Sequence, residues 1–97
     1  MHAAALRIEL RIPLANSLKA KRGVVRPLVE GLRRVASLSV SEIDRHDSWQ
    51  LSTLGVAIVA PDAGHLERLI GEVQSYLDGC IDLEVIEIRA SYLEEPQ

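Results

Sequence analysis

Four apolar residues, Leu6, Ile8, Leu10 and Ile12, alternate strictly with Arg7, Glu9 and Arg11 near the start of this 97-residue chain. Successive side chains of a strand point to opposite faces, so the run is satisfied by a strand with one face on a core and the other in water. Pro13 to Asn16 breaks it, and the period then changes. Leu18, Val25, Leu28, Val29, Leu32, Val35 and Ala36 share one face of a helix capped by Asn16 or Ser17 and running to about Ala36. Gly23, Pro27 and Gly31 are poor interior helix residues, and Pro27 removes a backbone donor, so the helix is expected to be kinked or strained.

Ser37 to Arg45 and Trp49 to Ala60 read as two strands joined by a turn at His46-Asp47-Ser48. The run Leu54 to Ala60 is apolar on both parities, as in a central strand. Pro61-Asp62 stops it and caps a second helix, Ala63 to about Asp78, with Ala63, Leu66, Leu69, Ile70, Val73 and Leu77 as its buried face and Gly79 at its end. A last strand is expected from Cys80 to about Tyr92, with a bulge or change of face where Val85 and Ile86 break the alternation. The tail from Glu94 to Gln97 is expected to fray. The order βαββαβ is that of a ferredoxin-like α+β fold, a four-stranded antiparallel sheet with two helices on one face. The length suits a single domain spanning residues 1–97.

Charge is unevenly placed on this frame. Arg7, Arg11, Lys19, Lys21, Arg22, Arg26, Arg33 and Arg34 stand within the first 36 residues, opposed only by Glu9 and Glu30, which leaves that segment at +6 within a chain of net charge −3. The rest of the chain is strongly acidic. Such asymmetry implies a local basic surface and an anionic partner, or an acidic protein surface, rather than general nucleic-acid affinity. The single Cys80 excludes an internal disulfide and a multi-cysteine zinc site, and fits a reducing compartment. Arg7, Glu9 and Arg11 interrupt the N-terminus before a signal-peptide core could form, and no stretch approaches bilayer length, so a cytoplasmic protein without membrane association is expected.

Topology places the start of the first helix and the turn after the second strand at one end of the domain, so residues 16 to 22 should neighbour residues 42 to 50. Two polar residues break the local pattern there. Lys21 falls within the apolar arc of the first helix, and Glu42 shares the strand parity of Leu38 and Val40. They are expected to approach one another at the edge of the core, unless both simply reach past the packed layer into water. Lys19, Arg22, Arg26, Arg33 and Arg34 lie on the outward arc with Glu30. Cations at a helix N-terminus oppose the macrodipole, so Lys19, Lys21 and Arg22 there imply a bound anion or a nearby carboxylate; otherwise the arc is an ordinary solvated face.

The segments Ser17-Leu18-Lys19-Ala20-Lys21-Arg22, Ser39-Val40-Ser41-Glu42 and Asp47-Ser48-Trp49-Gln50, at these spacings, resemble the small bacterial YlxP-like family across nearly the whole chain. The resemblance implies a ferredoxin-like fold, and, through the usual placement of such genes among those for translation initiation and ribosome maturation, an association with RNA or the ribosome. One departure is Ser37-Leu38, where relatives often carry an aromatic-Asn pair.

Three function classes follow. In the first, the chain is a binding module for ribosomal or other structured RNA, or for a ribonucleoprotein, with Ser17, Lys19, Lys21, Arg22, Arg26 and Arg33 as the anion-binding residues and Glu42, His46, Asp47, Trp49 and Gln50 as a supporting cluster. Trp49 would stack on a base if exposed, but is expected to pack over one end of the core. In the second, the chain is a protein-interaction or homo-oligomerising module joined through the open sheet face, where Ala3, Ala5, Ala57 and Val59, with residues from the last strand, would form an apolar patch. The third, catalysis, lacks support: the loop Pro13-Leu14-Ala15-Asn16 is no Gly-rich phosphate cradle, His2, His46 and His65 are scattered, and no nucleophile, base and anion stabiliser converge. No catalytic residue, metal site or cofactor is expected.

Overall fold

The computed structural model describes residues 1–95. Its elements follow in the order β1 (His2–Arg11), α1 (Leu18–Ala36), β2 (Ser39–Asp44), β3 (Leu51–Ala60), α2 (Ala63–Asp78) and β4 (Glu84–Glu94). The four strands form one antiparallel sheet in the order β2-β3-β1-β4, the ferredoxin-like arrangement. The alternation of β1 survives intact: Leu6, Ile8 and Leu10 are buried, and Arg7 is exposed on the opposite face. Leu54, Val56 and Ile58 of β3 continue that layer, and Val25, Leu28 and Leu32 of α1 with Leu66, Val73 and Leu77 of α2 close it from above.

Ser17 caps α1, its Oγ accepting from the Ala20 N–H at 3.0 Å, and Asp62 caps α2 through the His65 N–H at 2.8 Å. α1 runs unbroken through Pro27, which lies exposed on its outward arc. Where α1 and α2 meet, the Tyr76 hydroxyl fills the space a Cβ would take at Gly31, so the absence of a side chain there sets the helix spacing.

Several boundaries differ from the sequence reading. β2 starts at Ser39 rather than Ser37, because Ser37 closes α1 in a left-handed conformation, φ 56°. β3 starts at Leu51, since Arg45 to Gln50 form a longer turn. Cys80 follows the Gly79 cap of α2, its N–H still donating to the Leu77 carbonyl, and β4 starts only at Glu84. Ala63 is exposed on the first turn of α2, outside the buried face. The expected bulge is present: Glu9 pairs with Glu87 and Leu10 with Val85, which leaves Ile86 over. The strand also runs further than the tail was expected to allow, through Glu94, with the Glu95 N–H donating to Met1 O at 3.0 Å; Pro96 and Gln97 lie outside the described residues.

Candidate functional site

The first turns of α1 and the turn after β2 meet at one end of the domain, and the residue that joins them is Lys21. Its side chain points inward from the apolar arc of α1 and is 1% exposed. A buried ammonium needs partners. Nζ lies 3.1 Å from Glu42 Oε2 and donates to the carbonyl of Arg45. Ser52 Oγ donates to the same Glu42 oxygen at 2.6 Å, and His46 Nε2 lies 3.2 Å from the Glu42 carbonyl.

Sequence reasoning brought Lys21 and Glu42 together and missed Ser52 and Arg45. Ser52 had a signal, a hydroxyl on the buried parity of Leu54, Val56 and Ile58. Arg45 had none, because its contribution is a main-chain carbonyl. That residue sits in the left-handed region at φ 64°, a conformation costly for a residue with a Cβ. Its N–H donates to Asp44 Oδ1 at 2.7 Å, and its carbonyl accepts from the Ser48 N–H at 3.1 Å as well as from Lys21. The hydrogen bond from the Arg45 N–H, the largest influence, holds the Asp44 carboxyl below its ordinary value against the opposing effect of desolvation, with the charges of Arg45, Arg7 and His46 adding to the lowering.

Gln50 ties the far side of the turn to the loop before α1. Nε2 donates to Pro13 O at 3.3 Å and Ala15 O at 3.2 Å, while the Gln50 carbonyl accepts from the Ile12 N–H at 2.7 Å. Asp47 is exposed and Trp49 is 55% exposed, beside Arg11, Pro13 and Leu51. Trp49 therefore does not pack over the core as expected: β3 begins only at Leu51, so the indole stands on the turn, outside the layer that α1 closes.

A groove of about 500 Å³ runs between α1 and β2. Val25 and Val29 supply an apolar wall, Arg22, Arg26 and Arg33 line it from α1, and Lys21, Glu42 and His46 close one end. Arg33 is tied down, donating to Glu30 Oε1 at 2.6 Å and to the Val40 carbonyl of β2 at 2.8 Å. The strand cations are also neutralised: Arg7 by Glu9 and Asp44, Arg11 by Glu84, Arg89 by Glu87. Lys19, Arg22, Arg26 and Arg34 of α1, all exposed, form no ion pair among the described residues. Lys21 thus has the carboxylate that its position demanded, and Lys19 and Arg22 do not.

Among the described residues no three His, Cys, Asp or Glu side chains converge as a metal ion would require, and no helix is long and apolar enough to cross a membrane. Fold and site together define a small ferredoxin-like α+β domain with a cation-lined groove beside one helix. The chain belongs to the family described as "Protein of unknown function (DUF503)", whose model matches residues 3–90. It is 30% identical over 70 residues to "Uncharacterized protein YlxP" of Bacillus subtilis (strain 168), covering 72% of this chain and 76% of that protein. The YlxP-like resemblance of the three short motifs is therefore a family relationship. The de novo designed protein Foldit4 shares the fold, with a TM-score of 0.57 and 17% identity over 92% of this chain and 96% of its own.

Proposed function

We propose that this protein is a non-enzymatic binding module for structured RNA, ribosomal RNA or a ribonucleoprotein surface, gripping the phosphate backbone with the outward arc of α1. The observation that carries this reading is a clustering of unpaired cations: Lys19, Arg22, Arg26 and Arg34 stand together on α1 with no carboxylate partner among the described residues, Arg45 on the turn after β2 and Arg68 on α2 are single unpaired cations elsewhere, and Arg7, Arg11, Arg33 and Arg89 are all paired. Arg22 and Arg26 are four residues apart on a helix, which separates their backbones by about 6 Å along the axis and suits successive phosphates of one strand. The exposed indole of Trp49 stands at the same end, on the turn that Lys21 and Gln50 fix, and offers a stacking surface for an unpaired base.

The test is binding of a structured ribosomal RNA fragment across a salt series, beside Lys19→Glu/Arg22→Glu and, as a control on α2, Arg68→Glu. Wild type should show a steep loss of affinity with salt, and the double variant should bind more weakly with a slope shallower by about two ions. Arg68→Glu should match wild type. Equal binding by the double variant and wild type would remove α1 as the contact surface.

A further inference from the structure

The two edges of the sheet are finished differently. β2 is short, and Arg33 reaches over it to the Val40 carbonyl. β4 has 11 residues, pairs among the described residues only with β1, and is exposed along nearly its whole length. The helices pack on β1, β2 and β3. Yet Val85, Ile88, Ala90 and Tyr92 of β4, which are in register with the core residues Leu10, Ile8, Leu6 and Ala4, are not polar, and the apolar Leu93 pairs with Ala3 on the other face. Ile88 alone of these is packed against the core, while Tyr92 is 63% exposed and Ile86, at the bulge, 52%. A long edge strand with open hydrogen-bonding groups and bare apolar side chains is a pairing surface.

Charge identifies what it pairs with. On the open face Arg89 stands directly opposite Arg7 and Glu87 directly opposite Glu9, so β4 meets like charge across β1. Like charges in that position are unfavourable, relieved here by Arg89 bonding to Glu87 at 2.6 Å within its own strand. A second copy of β4, running antiparallel about a two-fold axis at Ile88, reverses the mismatch. Glu87 then faces Arg89 of the second copy, Arg89 faces its Glu87, and Ile88 faces Ile88 on the helix side.

We infer that two copies of this chain join through β4 in that register into one continuous eight-stranded sheet, closed by a ring of four alternating charges. The association is isologous, so it stops at two. It involves none of the α1 cations, and its fate is independent of the RNA reading.

The full chain should sediment as two chains in analytical ultracentrifugation. Arg89→Glu alone and Glu87→Arg alone each set like charges against each other across the axis, and both should dissociate at least ten-fold more readily. An equimolar mixture of these two variants makes every facing pair opposite in sign again, and so should recover the two-chain species, as should the double exchange Glu87→Arg/Arg89→Glu. A variant that had merely misfolded would not be rescued by mixing. A wild type that stays single at the highest concentration reached overturns the inference. So does a two-chain species indifferent to both reversals, one not restored on mixing, or one broken by Ala57→Glu on the open face and untouched by Arg89→Glu.

Discussion

Lys21 Nζ and Glu42 Oε2 lie 3.1 Å apart, but the two side chains are unequally buried: 1% of the lysine is exposed against 21% of the glutamate. Removing either partner should therefore not cost the same. Without Glu42 the ammonium keeps only the Arg45 carbonyl, in a place water does not reach. Breaking a buried pair in that way costs about 3–5 kcal/mol. Without Lys21, Glu42 retains the Ser52 hydroxyl and can take water. Urea denaturation should find Glu42→Ala clearly less stable than Lys21→Met, with Lys21→Met/Glu42→Ala recovering part of the loss. Equal losses in the two single variants would mean that the ion pair is not what anchors the turn.

Asp44 provides a pH dependence. Its folded pKa lies below the ordinary value of 3.8 because the Arg45 N–H, and with it neighbouring positive charge, favours the carboxylate. A depressed carboxyl pKa contributes stability that is fully present above the unfolded value and is lost as pH falls through the folded one. The turn carrying His46 and Trp49 should accordingly be unaffected by this group at neutral pH and loosen in acid below 3.8. Carbon-detected NMR titration of the Asp44 carboxyl should give a midpoint under that value. A midpoint at or above it would show that the Arg45 N–H bond does not persist in solution.

Gly31 and Gly71 should respond oppositely to alanine. Both are interior to helices, where alanine is favoured over glycine by about 1 kcal/mol on propensity alone. Nothing lies within 4 Å of a Cβ on Gly71, so Gly71→Ala should raise the melting temperature. At Gly31 the Tyr76 ring must move, and overpacking of that kind costs about 1–3 kcal/mol, so Gly31→Ala should lower it. A stabilised Gly31→Ala protein would show that the α1–α2 spacing adjusts freely.

The fold was legible because each element announces its own period. Leu6 to Ile12 alternate, Val25 to Leu32 repeat as a helix face, and Val85-Ile86 mark the bulge, all features of the local chain. Lys21 and Glu42 were legible for a related reason: a charge on an apolar arc is conspicuous, and topology says which ends meet. What escaped was main-chain chemistry. Neither the Arg45 carbonyl nor the left-handed backbone at Ser37 and Arg45 is marked by glycine or asparagine, the residues that usually signal it. Trp49 was misplaced because the start of β3 slipped from Trp49 to Leu51, and those two residues decide whether an indole joins the layer or stands on the turn.

The pairing of strand cations, set against the bare ones of α1, makes the molecule electrically one-sided. A chain of net charge −3 repels a polyanion at long range, yet it carries one strip that attracts it. Diffusional encounter is then filtered by attitude: a copy arriving sheet-first is turned away, and one arriving with α1 leading is drawn in. Screening by salt flattens both effects together. On the proposed reading of α1 as an RNA-binding surface, the acidic remainder of the chain would be as much a part of recognition as the arginines, because it would determine which collisions count.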